Sequence, residues 1–190
     1  MTSVHPIQPL HQGRYALGID VGGTKIAGAI VDLESGAVSC RRQVATDYQR
    51  GGFAILADTL ALAHALRAEA ARLGKTVEAL GLGVAELVNP KGQIFSDHRI
   101  QWTGLDVAGT LSAVLPTVIS SDVRAAALAE ARFGVGRGLS SFYFVTIGTG
   151  VSGVLVLDGV PYAGSRGAAL VIANSMEHYN CPSCGHVSSG

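Results

Sequence analysis

The amino-acid sequence predicts a mixed α/β fold, in which a mixed sheet is flanked by helices. Apolar segments follow one another in the order three strands, helix, strand, helix, strand, helix. The chain has 190 residues, of which 48% are apolar and 15% charged, so it can bury a sizeable core and is not disordered. Two more strands follow the last helix, and their glycine-bearing turn repeats that of the early hairpin, which suggests a pseudo-duplicated architecture.

Three strands open the ordered part of the chain. Runs rich in Ala, Val and Ile predict strands at residues 15–20, 25–33 and 37–45. Turns that contain glycine separate them, at Gly22-Gly23 and at residues 34–36.

An amphipathic helix is predicted over residues 52–73. Apolar residues recur there at helical spacing, and Gly74 follows as a C-terminal cap. Farther along, the pattern predicts a strand at residues 79–85, a helix at 107–115 and a strand at 117–121.

Asp122 lies where this last strand ends and an Ala-rich helix, residues 123–133, begins. Backbone N–H groups and side chains converge on ligands at such junctions. The pattern then restarts with strands at residues 142–147 and 151–157, joined by a Gly-Thr-Gly turn.

The expected domain division follows from this order of elements. Residues 1–13, with two prolines and two histidines, are expected to form a flexible leader. Residues 14–121 are expected to form an N-terminal domain, and residues 122–190 the start of a second one.

Composition excludes several classes of partner. Fourteen basic side chains balance fourteen acidic ones, so no long-range field gathers nucleic acid or an anionic membrane. The apolar stretches are interrupted well short of the ~20 residues that a membrane span needs, and the start lacks the apolar core of a signal peptide. We therefore expect a cytoplasmic protein without nucleic-acid or membrane partners. Cys40 stands alone and is expected to be inert.

The run from Asp20 to Lys25 carries the features of a phosphate site. A carboxylate at a strand end precedes two glycines and a hydroxyl, so backbone N–H groups can approach phosphate oxygens without a Cβ in the way. Asp20 can hold Mg²⁺ through water. The residues assigned to phosphate binding are Asp20, Gly22, Gly23, Thr24 and Lys25. The alternative is an ordinary hairpin turn whose glycines merely permit positive φ.

A second glycine turn, Gly148-Thr149-Gly150, repeats this arrangement after the strand at residues 142–147. By itself such a turn is weak evidence. Two of them, each closing a strand and separated by Asp122 at a strand-to-helix junction, form a more specific constellation. For Asp122 alone, an ordinary helix N-cap is the alternative.

With these motifs the chain resembles the ROK family, named for repressors, open reading frames and sugar kinases, within the actin-like ATPase superfamily. The family's first phosphate motif matches residues 18–25, and its second matches residues 146–158. The resemblance implies an actin-like (ribonuclease H-like) fold whose second domain is incomplete, a homodimer, and binding of ATP with Mg²⁺. It also implies that Asp122 is catalytic and accepts the proton of the sugar hydroxyl that attacks the γ-phosphoryl group.

The acceptor site departs from the family's pattern at several positions. The family has an Asn four residues before a Trp, and here His98 takes that place before Trp102. The family's Asn before the catalytic Asp is Ser121, and its Pro-Gly near the end of the fourth strand is Ala85-Glu86.

The largest departure lies in a stretch whose Glu binds sugar hydroxyls and whose His is a zinc ligand in the family. Those positions are Val171 and Asn174 here. Losing polar groups from a site built to hydrogen-bond a sugar should remove or redirect glucose recognition. The residues predicted to contact the acceptor are Glu86, His98, Ser121, Asp122 and Asn174.

A zinc loop is predicted near residues 174–190. Cys181 and Cys184 form a C-x-x-C pair, which in a reducing compartment points to metal or redox chemistry. His178 and His186 lie close in sequence and can complete a tetrahedral Zn²⁺ site, or either can be an exposed loop residue.

The sequence therefore favours an ATP-dependent sugar kinase that acts on a small-molecule sugar or sugar-like acceptor. The alternative is a catalytically weak or inactive kinase-like protein that senses sugars. Only about fourteen residues precede the first strand, too few for the helix-turn-helix of a repressor, so direct DNA binding is not expected.

Overall fold

The structure, a computed structural model, describes residues 14–147, 151–169, 171–173, 178–180, 184 and 187–189. The chain divides into two compact units. The first contains Met1–Leu82 and Asp106–Val118, and the second contains Gly83–Leu105 and Ile119–Gly190. Residues 83–105 thus belong with the later part of the chain. Compactness does not test independent folding, so the predicted domains, residues 14–121 and 122–190, stay a prediction.

A five-stranded sheet takes most of its residues from the first unit. Its strands are β1 (Tyr15–Val21), β2 (Lys25–Asp32), β3 (Val38–Ala45), β4 (Val77–Val84) and β5 (Thr117–Ser121), in the order β3-β2-β1-β4-β5. Strands β1, β2 and β3 pair antiparallel, and β1 runs alongside β2 from Tyr15 opposite Asp32 to Val21 opposite Ile26. This register makes residues 22–25 a tight connection at the end of β1.

Helix α1 (Gly51–Arg72) covers this sheet and follows a 3₁₀ turn at Tyr48–Arg50. It packs closely on β2, because a Cβ added to Gly28 would lie 2.7 Å from the Leu66 side chain. The helix ends at Leu73, and Gly74 adopts φ 67°, as the sequence predicted for a glycine cap.

Helix α2 (Val107–Ser112) is shorter than the helix predicted over residues 107–115. Asp106 caps it by accepting a hydrogen bond from the Gly109 N–H at 2.8 Å. Beyond Ser112 the chain turns while keeping Val114 and Leu115 buried, so the apolar pattern continues although the helix does not.

The second unit is built around α3 (Asp122–Phe133), β6 (Ser141–Ile147) and β7 (Val151–Leu157). Strand β7 pairs antiparallel with β6, with β8 (Val160–Pro161) and with β9 (Val171–Ala173). Strands β10 (His178–Asn180) and β11 (Val187–Ser189) form a separate hairpin. Buried residues of α3 and β7 form the core: Val123, Ala127, Val154 and Val156.

The structure contains every helix and strand that the sequence predicted, with ends that differ by a few residues. The sequence did not predict β8 to β11, which are two or three residues long and carry too little periodicity to recognise. In the described part of the chain, no helix combines the length and apolar character that a membrane crossing requires.

Candidate functional site

The predicted phosphate motif forms the hairpin between β1 and β2. The Gly22 N–H donates to the Lys25 carbonyl at 3.0 Å, which closes the turn. The N–H groups of Gly23 and Thr24 donate to no residue that the structure describes. The side chains of Asp20, Thr24 and Lys25 are exposed around them. The hairpin therefore offers backbone donors and polar side chains together, the combination that an anion requires.

Gly22 distinguishes a phosphate site from an ordinary turn. Its φ lies outside the left-handed region, and a Cβ added there would meet only the Lys25 carbonyl oxygen, at an ordinary 3.5 Å. The fold of the hairpin therefore does not require glycine at this position. The alternative, in which glycine serves only to permit positive φ, does not apply to Gly22. Close approach of a ligand to the backbone would explain why glycine occupies this position.

Thr46 lies directly behind this hairpin. Its N–H donates to the Thr24 carbonyl at 2.9 Å, which ties the end of β3 to the turn. Its hydroxyl is buried and has no hydrogen-bond partner among the described residues. Buried unpaired hydroxyls are uncommon because they lose their bonds to water.

Asp122 occupies the first position of α3, directly after β5. Its Oδ1 accepts a hydrogen bond from the Val123 N–H at 2.7 Å. The N-cap of the helix is Ser121, whose hydroxyl accepts from the Arg124 N–H at 3.4 Å. Ser121 therefore occupies the N-cap position, and the Asp122 carboxylate instead bonds the N–H of the next residue.

The surroundings of Asp122 suit a proton acceptor. Burial raises the pKa of its carboxyl above the ordinary range, and the negative charge of Glu86 adds to the rise. Hydrogen bonds from backbone N–H groups oppose both effects. A carboxylate with a raised pKa binds a proton more tightly, which improves it as a general base.

Glu86 is buried, with 4% of its surface exposed, and it joins the segment of residues 96–100. Its Oε1 accepts from the N–H groups of Arg99 and Ile100 at 2.5 and 2.8 Å. Its Oε2 accepts from the His98 N–H at 2.9 Å and from the Ser96 hydroxyl. His98, whose side chain is exposed, is thus joined to Glu86 through its backbone.

Asp97 adds a second attachment for the same segment. Its Oδ1 accepts from the Thr103 N–H at 2.9 Å, just after the buried Trp102. Hydrogen bonds from Thr103 lower the pKa of the Asp97 carboxyl, so it is a firm acceptor.

Arg124 is a buried charged residue near Asp122 whose role the sequence analysis missed. Its guanidinium is buried and donates to the carbonyls of Gly167 and Val88, at 3.1 and 2.5 Å. These two hydrogen bonds connect α3 to the segments that contain Val88 and Gly167. Burial lowers the pKa of the Arg124 guanidinium. The motif around Asp122 places this arginine on α3, but no local pattern indicates that its partners are backbone carbonyls 36 and 43 positions away.

Several predicted site residues fall outside what the structure describes. These are Gly148, Thr149, Gly150, Asn174, Cys181 and His186, and of His178 only the backbone is described. Cys184 is exposed. Within the described residues no group of three or more His, Cys, Asp or Glu side chains is placed to hold a metal ion. The Zn²⁺ site thus stays a prediction.

The remaining predicted residues fall into two groups. The hairpin residues 20–25 lie in the first unit, whereas Glu86, His98, Ser121 and Asp122 lie in the second. Their roles toward nucleotide and acceptor stay predictions.

Comparison with known proteins identifies relatives of the chain. The sequence profile of the ROK family matches residues 16–185. Kanosamine kinase of Amycolatopsis mediterranei is 36% identical over 155 residues, which are 79% of this chain and 48% of that protein. A glucokinase of Streptomyces coelicolor is 31% identical over 156 residues, 80% of this chain and 47% of that protein. The chain thus spans about half the length of these curated relatives.

A solved structure supports the fold. The ROK family glucokinase of Streptomyces griseus, crystallised with glucose and AMPPNP, matches with a TM-score of 0.71 and 31% identity, covering 93% of this chain and 55% of that one. This likeness confirms the actin-like fold that the sequence predicted.

Proposed function

The chain belongs to the ROK family, and we propose that it is the part of a sugar kinase that grips the phosphates of ATP and presents the catalytic base to a sugar hydroxyl. The relatives named above are kinases of glucose and of kanosamine, and one was crystallised with AMPPNP, an ATP analogue. The observation that carries the proposal is Asp122, a partly buried carboxylate with a raised pKa that does not cap its helix.

The proposed reaction transfers the γ-phosphoryl group of ATP to the acceptor. The acceptor's hydroxyl oxygen forms a bond to the γ-phosphorus, and the bond from that phosphorus to the β–γ bridging oxygen breaks. ADP leaves, and the hydroxyl proton passes to the Asp122 carboxylate. The raised pKa of Asp122 favours this last step.

The hairpin at residues 20–25 fits the donor side of this reaction. The N–H groups of Gly23 and Thr24 can donate to phosphate oxygens, and the Lys25 ammonium can balance phosphate charge. The exposed Asp20 carboxylate is a hard oxygen ligand of the kind that Mg²⁺ prefers. When bound, Mg²⁺ neutralises charge on the transferring phosphates.

An acceptor screen with the complete protein tests the proposal. The protein is mixed with Mg·ATP and separately with glucose, kanosamine and N-acetylmannosamine, and the sugar phosphate and ADP are measured by mass spectrometry. We expect at least one acceptor to yield equal amounts of both products. If ATP binds but no sugar or sugar-like acceptor is phosphorylated, the kinase proposal is wrong and a sugar-sensing role is favoured.

Other predictions lie beyond these observations. Homodimer formation, a cytoplasmic location and the lack of nucleic-acid partners stay predictions.

A further inference from the structure

The carboxylate of Glu86 accepts four hydrogen bonds from described residues of the second unit. It lies just after β4, and four donors from a segment ten to fourteen positions later converge on it. Three are consecutive backbone N–H groups, those of His98, Arg99 and Ile100, and the fourth is the Ser96 hydroxyl. A carboxylate that replaces the family's glycine at this position has thus acquired a full set of partners within the chain.

These four bonds use the whole accepting capacity of the carboxylate. An ionised carboxylate has about four lone-pair sites, two on each oxygen. Oε1 accepts two N–H groups, and Oε2 accepts one N–H group and one hydroxyl. A sugar hydroxyl would therefore have to displace a protein donor in order to bind Glu86.

Ser96 connects this cluster to the short hairpin of residues 87–95, which precedes it in the chain. Its Oγ accepts from the Leu87 N–H at 2.8 Å while its hydroxyl proton goes to Glu86. The Phe95 N–H donates to the Leu87 carbonyl at 3.0 Å, and Val88 bridges to Ile94. The two ends of the hairpin at residues 87–95 are thus held together next to Glu86. The chain continues from this hairpin directly into residues 96–100.

We infer that Glu86 is a positioning residue, whose buried carboxylate fixes the backbone of residues 96–100 and so holds His98 in the acceptor site without itself contacting the acceptor. The inference rests on the proposed kinase function for its last part. Its first part, the fixing of the segment, stands on the hydrogen bonds alone. Asp97, His98 and Arg99 are the exposed residues of this segment, and His98 stands at the position where the sequence predicts an acceptor contact.

Removing the charge tests the inference directly. In Glu86→Gln one oxygen can still accept, but the new amide NH₂ faces N–H donors and cannot accept from them. Glu78→Gln is the matched control, because Glu78 lies on β4 and its side chain makes no hydrogen bond or ion pair with a described residue. Amide hydrogen exchange is measured on the peptide that covers residues 96–102 in the complete protein, together with steady-state kinetics.

We expect exchange at residues 98–100 to become about tenfold faster in Glu86→Gln and to stay unchanged in Glu78→Gln. We also expect KM for the acceptor to rise roughly tenfold while KM for ATP stays within about twofold, as for lost acceptor positioning. Ser96→Ala, which keeps the carboxylate but removes one donor, should shift both quantities in the same direction by a smaller factor. This milder variant also serves if Glu86→Gln does not fold.

The outcomes separate the inference from the proposed function. Unchanged exchange in both Glu86→Gln and Ser96→Ala overturns the positioning role of Glu86. Faster exchange with an unchanged acceptor KM overturns the link to the acceptor. If the wild-type protein phosphorylates no acceptor, the kinase proposal fails, while the exchange data still decide whether Glu86 fixes the segment.

Discussion

The hairpin at residues 20–25 and the segment at residues 96–100 are held in place in opposite ways. The hairpin is closed by its own backbone, through the bond from Gly22 to Lys25, and its polar side chains face outward. The segment is held by one buried side chain, Glu86, which lies ten or more positions away. A turn that is closed by backbone hydrogen bonds tolerates most side-chain substitutions, but an added Cβ can keep a ligand away from its backbone. A segment that is held by a side chain depends on that one carboxylate and its hydrogen-bond partners. Among the predictions below, Gly22→Ala and Thr46→Val test the hairpin side of this contrast.

The largest effect is expected at Asp122. We expect Asp122→Asn to lower kcat roughly 10²–10⁴-fold, because the amide cannot accept the proton of the acceptor hydroxyl. ATP affinity, measured by calorimetry, should stay unchanged. Asp106→Asn is the matched control, since Asp106 is the exposed N-cap of α2, a role that Asn fills equally well. Equal kcat in wild type and Asp122→Asn would contradict the role of Asp122 as the base.

The second largest effect is a loss of stability expected at Gly167, which packs against Val88 in the second unit. Gly167 has φ 83°, and a Cβ there would lie 2.2 Å from the Val88 carbonyl oxygen. We expect Gly167→Ala to lower the free energy of unfolding by about 3 kcal/mol or more, combining backbone strain and overlap. Gly159→Ala, with φ 75° and no atom within 4 Å of the added Cβ, isolates the strain and should cost only about 1–2 kcal/mol. Equal losses in urea unfolding would show that Val88 does not hold this segment closely.

Gly22→Ala, in the hairpin at residues 20–25, should lower ATP affinity and leave stability unchanged, whereas Gly167→Ala lowers stability. The fold tolerates a Cβ at Gly22, so the free energy of unfolding should change by less than about 0.5 kcal/mol. The methyl group would keep phosphate away from the backbone, and we expect ATP affinity to fall roughly tenfold, or ~1.4 kcal/mol. Gly81→Ala in β4 is the control, since the added Cβ meets only the Leu17 carbonyl oxygen at 3.9 Å. Lost stability with unchanged affinity would indicate that the glycine serves the turn alone.

A smaller effect is expected at Thr46, behind the hairpin. Its buried hydroxyl has no hydrogen-bond partner among the residues that the structure describes, so Thr46→Val should leave the unliganded protein as stable or raise the free energy of unfolding by up to about 1 kcal/mol. Thr59→Val is the contrasting variant, because the Thr59 hydroxyl donates to the Ile55 carbonyl at 2.7 Å and its loss should destabilise. Thermal unfolding without ATP compares the two, and a destabilised Thr46→Val protein would mean that the hydroxyl is paired in solution.

The smallest effect is a pH dependence of stability that comes from Asp122. Because burial raises its pKa in the folded state, the folded protein binds this proton more tightly than the unfolded one. The contribution to stability is therefore present below the ordinary Asp pKa and is lost as pH rises through the raised value. Asp122→Asn should remove this dependence and be the more stable protein at neutral pH. A wild type whose stability relative to the variant does not fall as pH rises would contradict the raised pKa.

The sequence determined the parts of this protein that depend on neighbouring residues. Strand and helix periodicity, the glycines of the hairpin and the junction at Asp122 are local patterns, and they were sufficient to predict the elements, the fold and the family. The cap at Gly74 was predicted for the same reason, since helix ends have local chemistry.

Only the tertiary structure decided what the buried polar side chains do. Sequence analysis assigned Glu86 to the acceptor and overlooked Arg124, because neither residue's partners are near it in sequence. It also left Asp122 between catalysis and capping; the structure places Ser121 at the N-cap, and the catalytic role of Asp122 stays a prediction. The physical reason is that a buried charge takes the donors or carbonyls that folding brings to it, and folding selects them from distant parts of the chain.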